Sequence, residues 1–194
     1  MLLGAIDAVA LSAAVAIGYV LGSIPVAVLI ARGQGFDPRD VGDRNPGYWN
    51  VKEQRGGQAA LPVFVGDVCK GALAAGAGIV LDGSTWGIAY AAVAAAMIGH
   101  AFPVFADFRG GRSVLTFVGG MAVLSPVAAA AAAAAFAIVW AGSRSLALAA
   151  RVGVFGFPLV QIGFESKERV AATGALMGIV GLRFAQAAVR DRQA

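Results

Sequence analysis

Asp67 and Lys70 stand three residues apart inside an apolar run, the spacing that sets an acid and a base on one face of a helix. Charges inside such a run are costly, so they face a polar cavity or neutralise each other. Further along, His100 follows Gly99 and is the chain's only histidine. After it, Asp107-Phe108-Arg109-Gly110-Gly111-Arg112-Ser113 sets two glycines between two arginines. Paired glycines let backbone N–H groups approach an anion, and arginine presents a fork of donors that matches phosphate oxygens. Upstream lies Arg39-Asp40-Val41-Gly42-Asp43-Arg44-Asn45-Pro46-Gly47-Tyr48-Trp49-Asn50. There Gly42 and Gly47 permit tight turns, and Asn45 and Asn50 offer amides to hydroxyls or phosphates.

Each group also has a plainer reading. The acid–base pair can be a self-neutralising structural pair, and the histidine a hydrogen-bonded packing residue. The first loop can be a solvated connection anchored by Tyr48 and Trp49 at a membrane surface. The density of Gly, Asn and Arg in that loop favours binding over simple connection. No Ser or Cys is set beside a base as a nucleophile, and no cluster of His, Cys and carboxylates has metal-ligand spacing. The pattern points to holding phosphates at the edge of a bilayer.

The elements that must position these residues are membrane helices. The chain has 194 residues, 59% of them hydrophobic and 13% charged, with a mean hydropathy of +0.77. A soluble domain carries about twice that charge. The expected fold is an all-α polytopic membrane protein, a single domain over residues 1–194 with about seven transmembrane helices. The spans fall near 8–31, 57–81, 84–106, 113–124, 125–141, 146–163 and 170–187. Ser125-Pro126 is the one helix-breaking signal between Val114 and Trp140; without a break there the count is six. The eight alanines Ala128 to Ala135 predict a thin helix that packs closely. Cys69, the single cysteine, is expected to be a small buried packing residue.

With seven spans, an outside N-terminus and a cytoplasmic C-terminus, ten Lys and Arg side chains lie inside and two outside. That bias places both glycine-bearing loops on the cytoplasmic face. The net charge of +4 suits anionic lipid headgroups or phosphorylated substrates. Nucleic acid is not expected, because the arginines are scattered over short loops with no basic face.

Taken together, these segments resemble one family in its motif order over residues 21–116. Leu21-Gly22-Ser23-Ile24-Pro25 is similar to the Gly-Ser-Ile-Pro of the bacterial acyl-phosphate-dependent glycerol-3-phosphate acyltransferases, the PlsY family. Gly42 to Asn50 resembles its Gly-Ser-Gly-Asn-x-Gly-x-Thr-Asn loop, and Asp67-Val68-Cys69-Lys70-Gly71 its Asp-x-x-Lys-Gly. Gly99 to Phe105 resembles its Gly-His-x-Phe-Pro-x-Phe, and Phe108 to Val114 its Phe-Lys-Gly-Gly-Lys-Gly/Ala-Val. Asp43, Arg44 and Trp49 stand where the family has Ser, Gly and Thr, and Arg109 and Arg112 replace two lysines. The family's C-terminal His-x-x-Asn-Ile-x-Arg-Leu is absent, leaving Arg183 or Arg190 to stand in.

The resemblance implies a seven-helix enzyme of the bacterial inner (plasma) membrane with a cytoplasmic active site and no cofactor. It implies transfer of an acyl group from acyl phosphate to glycerol 3-phosphate, giving lysophosphatidate for phospholipid synthesis. Gly110, Gly111, Arg112 and Ser113 are then expected at one phosphate, and Arg39, Asn45, Gly47 and Asn50 at the polyol phosphate. Lys70 serves either phosphate with Asp67 orienting it, and His100 or the substrate's own phosphate takes the hydroxyl proton. The alternatives are a phosphate- or lipid-handling membrane carrier and a non-catalytic paralogue.

Overall fold

The computed structural model describes residues 7–82 and 86–192. Its chain begins with a helix whose start is set chemically: the Asp7 carboxylate accepts from the N–H groups of Val9 and Ala10. That helix, α1 (Ala8–Ser23), stops where Pro25 cannot donate and holds Ile24 in an extended conformation. The chain resumes as α2 (Val26–Arg32). The amphipathic α3 (Tyr48–Arg55) follows the first loop, then the long α4 (Gly57–Leu81) and α5 (Trp86–Ala101). A single 3₁₀ turn, Val104–Ala106, leads through the paired glycines to α6 (Val114–Leu124). The remaining helices are α7 (Pro126–Ser143), α8 (Leu146–Phe155), α9 (Phe157–Gln161) and α10 (Lys167–Asp191).

Among the described residues, five stretches are long and apolar enough to cross a membrane: Ala8–Arg32, Gly57–Leu81, Trp86–Ala106, Pro126–Ser143 and Lys167–Arg190. Val114–Leu124 and Leu146–Phe155 are apolar but shorter. The break expected at Ser125-Pro126 is present, with Ser125 in a non-helical conformation between α6 and α7. The span expected over 146–163 is interrupted at Gly156.

Small residues bring the inner helices close. A Cβ on Gly18 or Gly22 would strike the backbone of Ala92 or Ala96, so α1 lies against α5 almost backbone to backbone. Gly71 and Gly119 do the same for α4 and α6. Around this contact lies an apolar core of Tyr90, Val93, Met97, Phe117, Met121, Phe157, Leu176 and Val180. A buried polar network ties the helices deeper in the bundle. The Gln161 amide donates to Tyr90 Oη (3.2 Å) and Ser125 Oγ (2.9 Å), and Tyr90 Oη shares a hydrogen bond with Thr173 Oγ1 (3.2 Å).

Two expectations are corrected. Cys69 is exposed on the outer face of α4 rather than buried, because the i+2 position from Asp67 turns it away from the interior. Within the alanine run only Ala128 and Ala132 are buried, so most of that helix faces outward.

Candidate active site

The two loops singled out by their residue types meet at one end of the bundle. Arg39 is buried and forked onto Asp37 at 2.8 and 2.9 Å. It also donates to the Ala106 carbonyl at 3.2 Å and lies 3.5 Å from Asp107. Hydrogen bonding from the Arg39 guanidinium holds the Asp37 carboxyl well below its ordinary value of 3.8. In return Arg109 donates to the Arg39 carbonyl (3.3 Å) and reaches Asp40 (3.4 Å), while Arg112 lies 2.9 Å from Asp43. Acids at 40 and 43 thus face arginines at 109 and 112, a two-rung charge ladder between the loops.

Beneath the ladder a narrow cleft is lined in part by Gly22, Ile24, Pro46, Asp67, Lys70, His100, Arg109, Gly110 and Gly111. It leaves about 10 Å³ open to the centre of a water molecule, room for about one. Asp67, Lys70 and His100 are all buried here. Lys70 Nζ stands 2.8 Å from Asp67 Oδ1 and donates to the Ile24 carbonyl at 3.3 Å. The same carbonyl also accepts the Val26 N–H at 3.0 Å, in the turn that Pro25 makes between α1 and α2. His100 Nδ1 lies 3.5 Å from the same Asp67 oxygen. Three ionisable side chains from α4 and α5 therefore converge on one polar wall.

The glycine pair fits tightly against this wall. Gly111 N–H donates to the His100 carbonyl at 3.0 Å, and a Cβ on Gly111 would collide with the His100 imidazole. A Cβ on Gly110 would collide with the carbonyls of His100 and Ala101 and with Pro103. From the other side Arg183 of α10 donates to the carbonyls of Gly111 (3.0 Å) and Gly110 (2.9 Å) and lies over the Phe102 ring. These positions are glycine because His100 and its neighbours leave no room, in addition to any approach of an anion. Ser113 begins α6 without capping it, since its hydroxyl donates to the Met97 carbonyl at 2.6 Å. The first amides of α6 are left without a side-chain cap, and such a helix start favours an anion.

Not every residue expected at a phosphate is presented to one. Asn50 is fully buried and its amide nitrogen donates to the carbonyls of Pro38, Val41 and Asn45 at 2.7–3.2 Å, so it shapes the loop from inside. Gly47 starts α3 and is buried, and Asn45 packs against it. Arg39 is spent on Asp37 and the Ala106 carbonyl, and Ser113 on Met97. Arg112 is turned toward Asp43 and lies over the Phe184 ring at 4.8 Å. Ile24 was not expected at the site, while Arg109 and Arg183 were noted in the sequence without being assigned to a phosphate. Their signals were present as the Ser-Ile-Pro helix break, the first arginine of the glycine turn and the lone buried charge of the last span.

A family model described as glycerol-3-phosphate acyltransferase matches residues 12–192. The chain belongs to the glycerol-3-phosphate acyltransferase family. One such acyltransferase from Bordetella petrii is 37% identical over 150 residues, covering 76% of this chain and 71% of that one. One from Neisseria gonorrhoeae is 36% identical over 176 residues, 88% of each chain. Among solved structures, the glycerol 3-phosphate form of PlsY, an integral membrane glycerol 3-phosphate acyltransferase, aligns with a TM-score of 0.81 at 25% identity. That alignment covers 94% of this chain and 92% of that one. The acyltransferase likeness therefore runs through α10, although the sequence motifs thin out after residue 116.

Proposed function

We propose that this chain acylates glycerol 3-phosphate for phospholipid synthesis at the cytoplasmic face of the bacterial inner membrane, with acyl phosphate as donor. The observation that carries the reading is the Asp67–Lys70–His100 wall facing the Gly110-Gly111 turn in one cleft. Acyl phosphate is already activated, so the site needs to bind and orient rather than supply a nucleophile. The glycerol hydroxyl oxygen attacks the acyl carbonyl carbon, the carbon–oxygen bond to phosphate breaks, and inorganic phosphate leaves. His100, with Asp67 beside Nδ1, takes the hydroxyl proton. Lys70, Arg109, Arg112 and the uncapped start of α6 offset the phosphate charge. Arg39, Asn45, Gly47 and Asn50 act by holding the loop that closes over the polyol phosphate, and Ser113 by setting the start of α6. About seven membrane segments, an outside N-terminus and a cytoplasmic C-terminus agree with the bias of ten basic side chains to two.

The test is direct. Purified protein in detergent, given a long-chain acyl phosphate and glycerol 3-phosphate, should release inorganic phosphate and lysophosphatidate in equal amounts. A folded protein that forms neither product overturns the reading.

A further inference from the structure

Arg112 carries one of the phosphate charges in the reading above, yet in this structure a carboxylate of the chain itself occupies it. Arg112 Nη1 lies 2.9 Å from Asp43 Oδ2. The placement is built by the loop. Asp43 Oδ1 accepts the Asn45 N–H at 3.1 Å, an Asx turn that leaves Oδ2 facing Arg112. The residues on either side, Gly42 (φ +58°) and Arg44 (φ +54°), are both in the left-handed region. Gly42 has no space for a Cβ, which would meet the Asn50 and Gln54 side chains. The carboxylate therefore has one defined direction.

Arg112 is also held for an anion larger than this carboxylate. Its guanidinium lies over Phe184, and its Nε is a buried donor with no acceptor. Arg183 of α10 stands near enough to add positive potential. A monodentate carboxylate leaves donors on this fork unused, whereas a phosphate has three oxygens to offer. The pair is also where the chain departs twice from the family pattern, with Asp43 for Ser and Arg112 for Lys.

We propose that Asp43 is a positioning residue that sets the affinity for phosphorylated substrate: it holds Arg112 in an internal ion pair that an incoming phosphate must displace. This rests on the phosphate-binding role given to Arg112 above. Without phosphate, the pair keeps the two loops together and the cleft narrow. With phosphate, the guanidinium exchanges one anion for another, and Asp43 is released to water.

The experiment measures binding of inorganic phosphate to detergent-solubilised wild type, D43N, D43S, R112A and D43N/R112A by calorimetry, with KM for glycerol 3-phosphate in parallel. Removing the competing carboxylate should lower the phosphate Kd by about three- to fivefold, the size expected for a partly exposed ion pair. KM should fall with it. The gain should vanish in D43N/R112A, which should bind like R112A. A purely structural bridge predicts the opposite sign, so unchanged or weaker binding in both Asp43 variants overturns the proposal. Failure of both to fold overturns it too, by assigning Asp43 to loop architecture. Acyl transfer is assayed on the same wild-type preparation. Phosphate binding without lysophosphatidate defeats the catalytic reading while the Kd comparison still decides the role of Asp43.

Discussion

His100 is held by three contacts that come from two distant parts of the chain, α4 and the glycine turn. Asp67 lies at Nδ1, Gly111 lies against the far side of the ring, and the Gly111 N–H holds the His100 carbonyl. Gly111→Ala should therefore displace the imidazole rather than merely stiffen a turn. Overpacking of this kind costs about 1–3 kcal/mol, so acyl transfer should drop about tenfold or more while the protein still purifies. Full activity in Gly111→Ala would show that the ring position is unimportant. The Asp67–Lys70 pair calls for a double variant. Lys70→Met alone leaves a buried carboxylate facing only a histidine, at a cost of about 3–5 kcal/mol. Asp67→Asn with Lys70→Met removes both charges and should restore the thermal midpoint in detergent. With Lys70 on substrate, the double variant stays inactive; a stable and fully active one would remove Lys70 from the site.

At the scale of elements, the first loop behaves as a folded unit rather than a tether. Asn50 gathers three carbonyls from inside, and Arg39 joins Asp37 to the 3₁₀ turn after α5. The Asp37 carboxyl is depressed in the folded loop relative to its ordinary value of 3.8. Its contribution is therefore fully present above 3.8 and is lost as pH falls below that value toward its own depressed one. Tryptophan fluorescence from Trp49, close to the loop, should be steady at pH 5 and change only well below pH 4. Asp37→Asn should have the altered signal already at pH 7. A wild-type transition centred above pH 5 would contradict the Asp37–Arg39 tie. The break between α1 and α2 works at the same scale: the turn at Pro25 presents the Ile24 carbonyl to Lys70 as well as to the Val26 N–H, so a helix end becomes part of the cleft wall.

Over the whole molecule, the bundle sorts its residues for a bilayer. Large apolar side chains such as Val80, Ile138 and Leu159 are strongly exposed, which a lipid surround accommodates and water does not. Charge is gathered at the end where the loops meet, with Arg32, Arg39, Arg109 and Arg112 all ion-paired there. Single cysteines placed in the 32–55 and 107–113 loops of a Cys69→Ala variant should react with an impermeant thiol reagent from the same side. A cysteine at Ser166 should react from the other. Cys69 has to be removed first because it is exposed on α4. Labelling of the two loops from opposite faces would dismantle the single cleft.

Membrane character, most of the spans and the chemistry-bearing groups were legible in the residues alone. Apolar runs of about 20 residues are imposed by bilayer thickness, and a charged pair within one has few explanations. The convergence of Asp67, Lys70, His100 and the glycine turn was partly legible for the same reason. Tertiary structure decided which donors remain free. Asn50, Ser113 and Arg39 look alike in sequence to residues that bind anions, but each donates to a carbonyl brought close by folding, at Pro38, Met97 and Ala106 respectively, all more than ten residues away in the chain. Buried polar groups must find such partners, and the partners are chosen by packing rather than by spacing. The reverse holds for Arg183. The sequence marks it only as one of two arginines able to stand in for a missing motif, and the packing of α10 against the glycine turn makes its guanidinium the support of Gly110 and Gly111.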